Sequence, residues 1–166
     1  MKDVEAMEIR TGTPADLAAL TAVEAACFPP AEAATEAELA ERLSAYGGHF
    51  WLLWDGETLA GFVDGMVTDQ PHLTDQMYQD AGLHREDGRW QMIFGVNTLP
   101  AYRRQGCAAA LLRRAIADAR EQGRLGLVLT CKEHLLHYYA RFGFVSLGRS
   151  PSAHGGAVWY EMRLTF

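Results

Sequence analysis

The sequence of 166 residues predicts one α/β domain, spanning residues 1–166, with about seven strands flanked by helices. Three observations carry this reading. The apolar run Met92-Ile93-Phe94-Gly95-Val96 leads through Leu99-Pro100-Ala101-Tyr102 into a segment of helical period. There Ala108, Leu111, Leu112, Ala115, Ile116 and Ala119 recur at spacings of three and four. Leu125 to Thr130 is almost unbroken apolar sequence, as a strand buried on both faces requires. His49 to Trp54 and Thr58 to Thr68 flank Asp55-Gly56-Glu57, which reads as a hairpin.

The remaining elements follow in chain order. Ala6 to Arg10 is a short strand. Thr13 is the N-cap of a helix with Pro14 at its first position, and Phe28-Pro29-Pro30 ends that helix near Cys27. Thr35 and Glu38 form a capping box that opens a second helix, which Gly47-Gly48 closes. Asp69 to Gly88 is polar and irregular, with a helical piece near Thr74 to Asp80, and Trp90 to Thr98 is the next strand. The long helix stops at Gln122-Gly123. Lys132 to Phe142 reads as a helix with Leu135, Leu136, Tyr138, Tyr139 and Phe142 on one broad face. Gly143 stops it and Phe144-Val145 starts a strand. Ala157 to Leu164 alternates like a half-buried strand.

Composition narrows the function. An apolar fraction of 49% supplies a full core, and no stretch reads as low-complexity. Met1-Lys2-Asp3-Val4-Glu5 lacks the apolar stretch of a leader, and no run reaches the roughly 20 apolar residues of a membrane span. Three scattered cysteines, Cys27, Cys107 and Cys131, suggest neither a disulfide framework nor a zinc ribbon, so a cytoplasmic home is expected. A net charge of -6 argues against nucleic acid as a partner and is compatible with a cationic amine. His134 and His137 stand three apart, but no third ligand follows at a metal-site spacing, so no metal is expected.

The turn Arg103-Arg104-Gln105-Gly106-Cys107-Ala108-Ala109 joins strand to helix. The free N–H groups of a first helical turn, reinforced by the helix dipole, favour an anion. Arg103-x-x-Gly106-x-Ala108 resembles the pyrophosphate loop of the GNAT acyl-CoA-dependent N-acetyltransferases. Tyr139-Ala140-Arg141-Phe142-Gly143-Phe144, between two strands, is similar to the C-terminal motif of the same superfamily. Cys131 to Phe144 looks like the corresponding segment of the serotonin (arylalkylamine) N-acetyltransferase subgroup. The Cys27-Phe28-Pro29 region resembles that subgroup's mobile loop. The fold class implied is α/β, a GNAT-like mixed, mostly antiparallel sheet of about seven strands flanked by helices.

The resemblance implies acetyl-CoA as cosubstrate and a primary amine as acceptor, most simply a small arylalkylamine or polyamine-like molecule. A peptide α-amine or lysine is the alternative, and a non-catalytic acyl-CoA sensor is the rival from another class. It leaves room for a homodimer. By the same resemblance, backbone N–H groups of Arg104, Gln105, Gly106, Cys107, Ala108 and Ala109 hold the pyrophosphate, with charge from Arg103 and Arg104. The Val96 N–H meets the thioester oxygen, with Gly95 suited to a bulge, while Asn97 and Thr98 bind the pantetheine arm. Tyr139 is the general acid at sulfur. The subgroup's two strand histidines are replaced by Met92 and Phe94, so the base lies elsewhere. Asp64, Glu24, His154 and Glu161 are candidates, with Glu161 or Asp64 expected to anchor a water that relays the proton.

Overall fold

The strand expected over residues 90–98 changes sheets midway, and this one irregularity organises the molecule. The computed structural model describes residues 3–166, so Met1 and Lys2 of the segment read for a leader lie outside the described residues. The first strands are β1 (Glu8–Thr11), β2 (Phe50–Asp55) and β3 (Thr58–Asp64), followed by β4 (Val67–Thr68). Then come β5 (Trp90–Ile93), β6 (Gly95–Thr98), β7 (Gly126–Cys131), β8 (Val145–Arg149) and β9 (Tyr160–Thr165). One sheet runs β1-β2-β3-β6, wholly antiparallel, and the other runs β4-β5-β7-β9-β8 with β5 and β7 parallel.

The nine strands among the described residues are the seven expected ones with two of them broken. The 58–68 arm splits at Gly65, where a Cβ would lie 1.8 Å from Met92 O, so only glycine lets the two chains approach. The 90–98 strand splits at Phe94. The element expected over 132–142 is a single turn of 3₁₀ helix, Glu133–Leu135, running into the short α5 (Leu136–Ala140).

Helices cover both faces. α1 (Leu17–Cys27) and α2 (Glu36–Tyr46) lie together on one face, and α4 (Cys107–Glu121) packs on β2, β3, β6 and β7 on the other. α3 (Asp75–Gln79) is the helical piece within the irregular 69–88 stretch. Thr35 caps α2 as its sequence requires: Glu38 N–H donates to Thr35 Oγ1, and Thr35 N–H donates to Glu38 Oε1. Two apolar layers result. Trp51, Leu53, Val63, Leu111, Leu112 and Leu129 pack under α4, while Leu20, Leu39, Phe50, Phe62, Met66 and Met92 pack under α1 and α2. Each such side chain, fully buried, contributes about 1.5–3 kcal/mol. Trp51 also anchors α4, because its Nε1–H donates to Asp118 Oδ2 at 2.8 Å.

Candidate active site

The site begins with a β-bulge. Asp64 stands opposite Gly95 in the β3/β6 register, yet Phe94 N–H also donates to Asp64 O at 2.7 Å, so Phe94 and Gly95 share one partner. Past the bulge, Leu99 N–H donates to Ala60 O at 2.9 Å, which phases the ladder. Gly95 and Asn97 exchange bonds with β3, whereas Val96 and Thr98 direct N–H and C=O outward. Thr98 O bears this out by accepting from Arg103 Nε at 3.1 Å and from the Cys27 thiol at 3.3 Å. β6 is one of the two edge strands of its sheet, and the last β5/β7 pair is Ile93 with Leu129. Beyond that pair the sheets part. Val96 and Thr130 line the gap, a cavity of about 230 Å³.

That cavity continues into a groove of about 600 Å³ along the start of α4. Gly106, with φ +87°, is the N-cap and offers no side-chain cap, and the first intrahelical donor is Ala110, whose N–H reaches Gly106 O at 3.0 Å. The N–H groups of Cys107, Ala108 and Ala109 precede it in the first turn. Arg104 is the one non-glycine residue with positive φ among the described residues, at +62°. Arg104 and Gly106, both left-handed, bend the loop just before α4 starts. A Cβ on Gly106, which lines the groove, would meet no atom within 4 Å beyond its own chain neighbours.

The expected pyrophosphate loop therefore lines the groove with Arg103, Arg104, Gly106, Cys107, Ala108 and Ala109. The Gln105 side chain turns back to donate to Ala101 O. Tyr139 lines both the groove and the cavity between the sheets, sharing them with Val96 and Cys27. Burial raises its phenol above the ordinary tyrosine value, with Cys131 and Tyr138 adding to the effect, so it is protonated at any working pH.

On the far side of the bulge lies a smaller cavity of about 40 Å³, sharing Phe28, Glu32, Phe94 and Trp159 with the cavity between the sheets. Here Glu24 and Asp64 converge. A Cβ on Gly95 would lie 3.3 Å from Asp64 Oδ1 and 3.7 Å from Glu24 Oε1. Asp64 is ion-paired, with its Oδ2 accepting from Arg42 Nη1 at 3.2 Å, and Arg42 also donates to Tyr78 O at 2.9 Å. Glu24 accepts Ala34 N–H on Oε2 at 2.9 Å. Its pKa is pushed up to about 7, first by burial and then by the Asp64 carboxylate. Ala34 N–H, Arg42 and the Asn97 amide pull the other way.

With groove, bulge and acid cluster in place, the comparisons are decisive. The model of the acetyltransferase (GNAT) family matches residues 17–144. This chain belongs to that family. Serotonin N-acetyltransferase of Mesocricetus auratus is 27% identical over 106 residues, covering 63% of this chain and 50% of that protein. The chain thus spans about half the length of that curated relative. Among solved structures, the loading GNATL domain of CurA from Lyngbya majuscula superposes with a TM-score of 0.84 at 17% identity, covering 96% of this chain and 97% of that one. The GphF GNAT-like decarboxylase in complex with isobutyryl-CoA gives 0.81 at 22% identity, covering 95% and 98%. At such identities these two structures establish the GNAT fold alone.

Several site residues expected from sequence fall elsewhere in this GNAT fold. Glu161 sits on β9 with its carboxylate turned away from the Glu24 cavity. Its Oε1 accepts Leu73 N–H at 3.0 Å and its Oε2 meets His72 Nδ1 at 2.8 Å, so it fastens the irregular stretch to the sheet. Asp64 lines the acid cavity but is committed to Arg42. Asn97 is wholly buried: strand alternation points its side chain away from the groove and toward Glu24, and its backbone bonds to β3. Cys107 stays with the groove it was expected to line, its side chain buried and its thiol pushed up by that burial. His154 does line the acid cavity, stacked on Tyr78 at 4.6 Å between ring centroids.

The sequence reading missed one polar cluster, His49, His84 and Glu86. Their ligand atoms lie close enough for an ion. Their hydrogen bonds, however, are already spoken for. Val67 N–H donates to His84 Nδ1, so in the neutral ring Nε2 carries the proton toward Glu86 Oε1 at 3.0 Å. Burial lowers the His84 pKa and keeps that ring neutral. Arg124 Nη2 holds Glu86 Oε2 at 3.3 Å. The cluster reads as a latch between the 81–88 segment and the sheet, and nothing in the spacing of three residues from distant segments announces it.

Proposed function

We propose that the chain is an acetyl-CoA-dependent N-acetyltransferase acting on a small primary amine, with Glu24 as the general base. The supporting observation is the pairing of an open groove at the start of α4 with a separate acid cavity in which Glu24, buried and without a salt bridge, has its pKa pushed up to about 7. The groove residues fit a nucleotide thioester. Its diphosphate would rest on the N–H groups of Gly106, Cys107, Ala108 and Ala109, beside Arg103 and Arg104, and its arm along the edge of β6. When bound, acetyl-CoA supplies the activated acetyl group.

The chain's residues serve the transfer as follows. An amine acceptor arrives as an ammonium ion, because its pKa lies near that of lysine, about 10. Glu24, half ionised near pH 7, is matched to take that proton directly or through a water. The Val96 N–H, free of the ladder, donates to the acyl oxygen as negative charge gathers there. The Tyr139 O–H donates a hydrogen bond at the departing sulfur. Its raised pKa makes full proton transfer to a thiolate uphill, so the phenol stabilises the thiolate while the proton shed by the amine restores the thiol. Phe28, Phe94 and Trp159 exclude water from the junction of the two cavities.

The cavity favours a small amine over a peptide. It measures only about 40 Å³, and His154 Nε2–H donates to Glu32 O at 2.9 Å, joining two of the segments that line it. Three free thiols fit a reducing compartment. The test is thiol release from acetyl-CoA across a panel of small amines and peptides, with the wild type beside E24Q. The expected result is turnover of small amines and a loss of about a hundredfold in E24Q. Turnover of peptides alone would transfer the reading to the alternative acceptor. Cofactor binding with no turnover of any amine would make the chain a sensor.

A further inference from the structure

We propose that Glu32 anchors a second ammonium group, so that the preferred acceptor is a short diamine. This deepens the acetyl-transfer reading above and rests on it for which cavity holds the acceptor.

Glu32 lies on the loop between α1 and α2, and its side chain is only 9% exposed. Three of its attachments are fixed. Lys132 Nζ lies 3.0 Å from Oε2, His154 Nε2–H donates to the backbone O, and the aliphatic stem is clamped by Gly155. That clamp needs glycine: Gly155 has φ +62°, and a Cβ there would come within 2.5 Å of Glu32 Cγ. The carboxylate is therefore preorganised. Its remaining oxygen, Oε1, is buried and has no hydrogen-bond partner in the protein. A buried, unanswered carboxylate oxygen is costly, and a ligand donor placed there recovers the cost.

The chemistry of that donor follows from its surroundings. Glu32 lines both the acid cavity and the cavity between the sheets, at the junction walled by Phe28, Phe94 and Trp159. Glu24 and Glu38 also line the acid cavity, while its Arg42 is taken up by Asp64. The potential is therefore negative, and a cation is the matching donor. Lys132 already shows the mode, with its ammonium on Oε2 and 5.8 Å from the Trp159 ring centroid. The aromatic walls suit methylene groups. The spacer must be short, because Glu24 and Glu32 line the same small cavity, of about 40 Å³. One amine of the acceptor thus meets Glu24 and the other meets Glu32 Oε1.

The experiment is titration calorimetry of the whole chain with 1,4-diaminobutane and 1-aminobutane, on the wild type, E32Q and K132Q. A charge-assisted contact predicts a diamine bound at least about tenfold tighter than the monoamine by the wild type. E32Q should bring the ratio close to one. K132Q, which frees Oε2 at a partly exposed position, should raise it, and this variant carries the test if E32Q does not fold. Equal affinities in the wild type, as water filling the site would give, overturn the proposal. So does an E32Q variant that weakens both amines alike. These readouts need no turnover, so failure of Glu24 as base appears separately, as an E24Q enzyme with undiminished activity.

Discussion

Glu24 and Asp64 bring carboxylate oxygens to the same point beside Gly95, yet only Asp64 is answered by a cation, Arg42 at 3.2 Å. Two acids in one buried place with unequal partners divide their roles. Burial raises the Asp64 carboxyl and Arg42 pulls it back, so its proton is tied to a structural ion pair, while Glu24, without such a partner, is left to titrate where a base is useful.

The first prediction is a pH signature for Glu24. Its folded pKa, about 7, lies above its ordinary value of 4.5. The folded state therefore binds the proton more tightly than the unfolded chain. That contribution to stability is complete below about 4.5 and is lost as pH rises through about 7, an effect of about 3 kcal/mol. E24Q lacks this titration. Urea unfolding at pH 5 and pH 8 should show the wild type losing stability relative to E24Q over that interval. The wild-type kcat/KM should rise through about pH 7, and in E24Q only the limb from the amine should remain. Parallel stability curves for the two proteins would remove Glu24 from this role.

Asp64 should behave in the opposite way. D64N leaves the Arg42 guanidinium buried beside a neutral amide, and breaking a buried pair from one side costs about 3–5 kcal/mol. Activity should then fall together with stability, and the urea midpoint should drop by a similar amount at pH 6 and pH 8. A D64N protein of wild-type stability with lost turnover would instead make Asp64 a proton carrier.

How much of this was readable beforehand depends on the residue. The groove was legible because its parts are local: strand, turn, glycine and helix follow one another in sequence, and capping and period fix their geometry. Thr35 and Glu38 specified their capping box in the same way. The broken strands were not legible. Periodicity shows which face a residue takes but not where a strand changes partners, and the changes at Gly65 and Phe94 follow from close approach between distant chains. The resemblance places Asn97 beside the pantetheine arm, whereas strand alternation puts its side chain on the face opposite Val96 and Thr98. Glu161 was misplaced for a different reason. Its partners, His72 and Leu73, belong to an irregular segment whose position only tertiary packing decides. Glu24 is one of four candidate bases in the sequence, and its burial, its bond from Ala34 N–H and its raised pKa, none of them visible in the sequence, are what support the proposed choice.

Tyr139 yields the third prediction. Y139F removes one oxygen from a buried ring that packs edge-on to Tyr138 and Phe144 at 5.2 and 6.2 Å, so the fold should hold. The loss should fall on kcat, by about ten- to a hundredfold, with KM for acetyl-CoA little changed. Because burial raises this phenol, the wild-type profile should show no descending limb from it below pH 10. A Y139F variant with unchanged kcat would reduce the residue to packing.

The last prediction separates the two ends of the site by inserting one methyl group at each. At Gly106 the added Cβ meets no protein atom, so the free protein bears only the strain of φ +87°, about 1 kcal/mol. If a diphosphate rests against that turn, the methyl group occupies its place, and G106A should raise KM for acetyl-CoA by about tenfold or more while Tm shifts little. At Gly95 the Cβ would press on Asn97 Nδ2 at 3.0 Å and reach Asp64 and Glu24, so G95A should disturb the base and lower kcat with little change in acetyl-CoA KM. Steady-state kinetics on the two variants at fixed pH decide the matter. An unchanged acetyl-CoA KM in G106A would mean that the amides at the start of α4 do not hold the diphosphate.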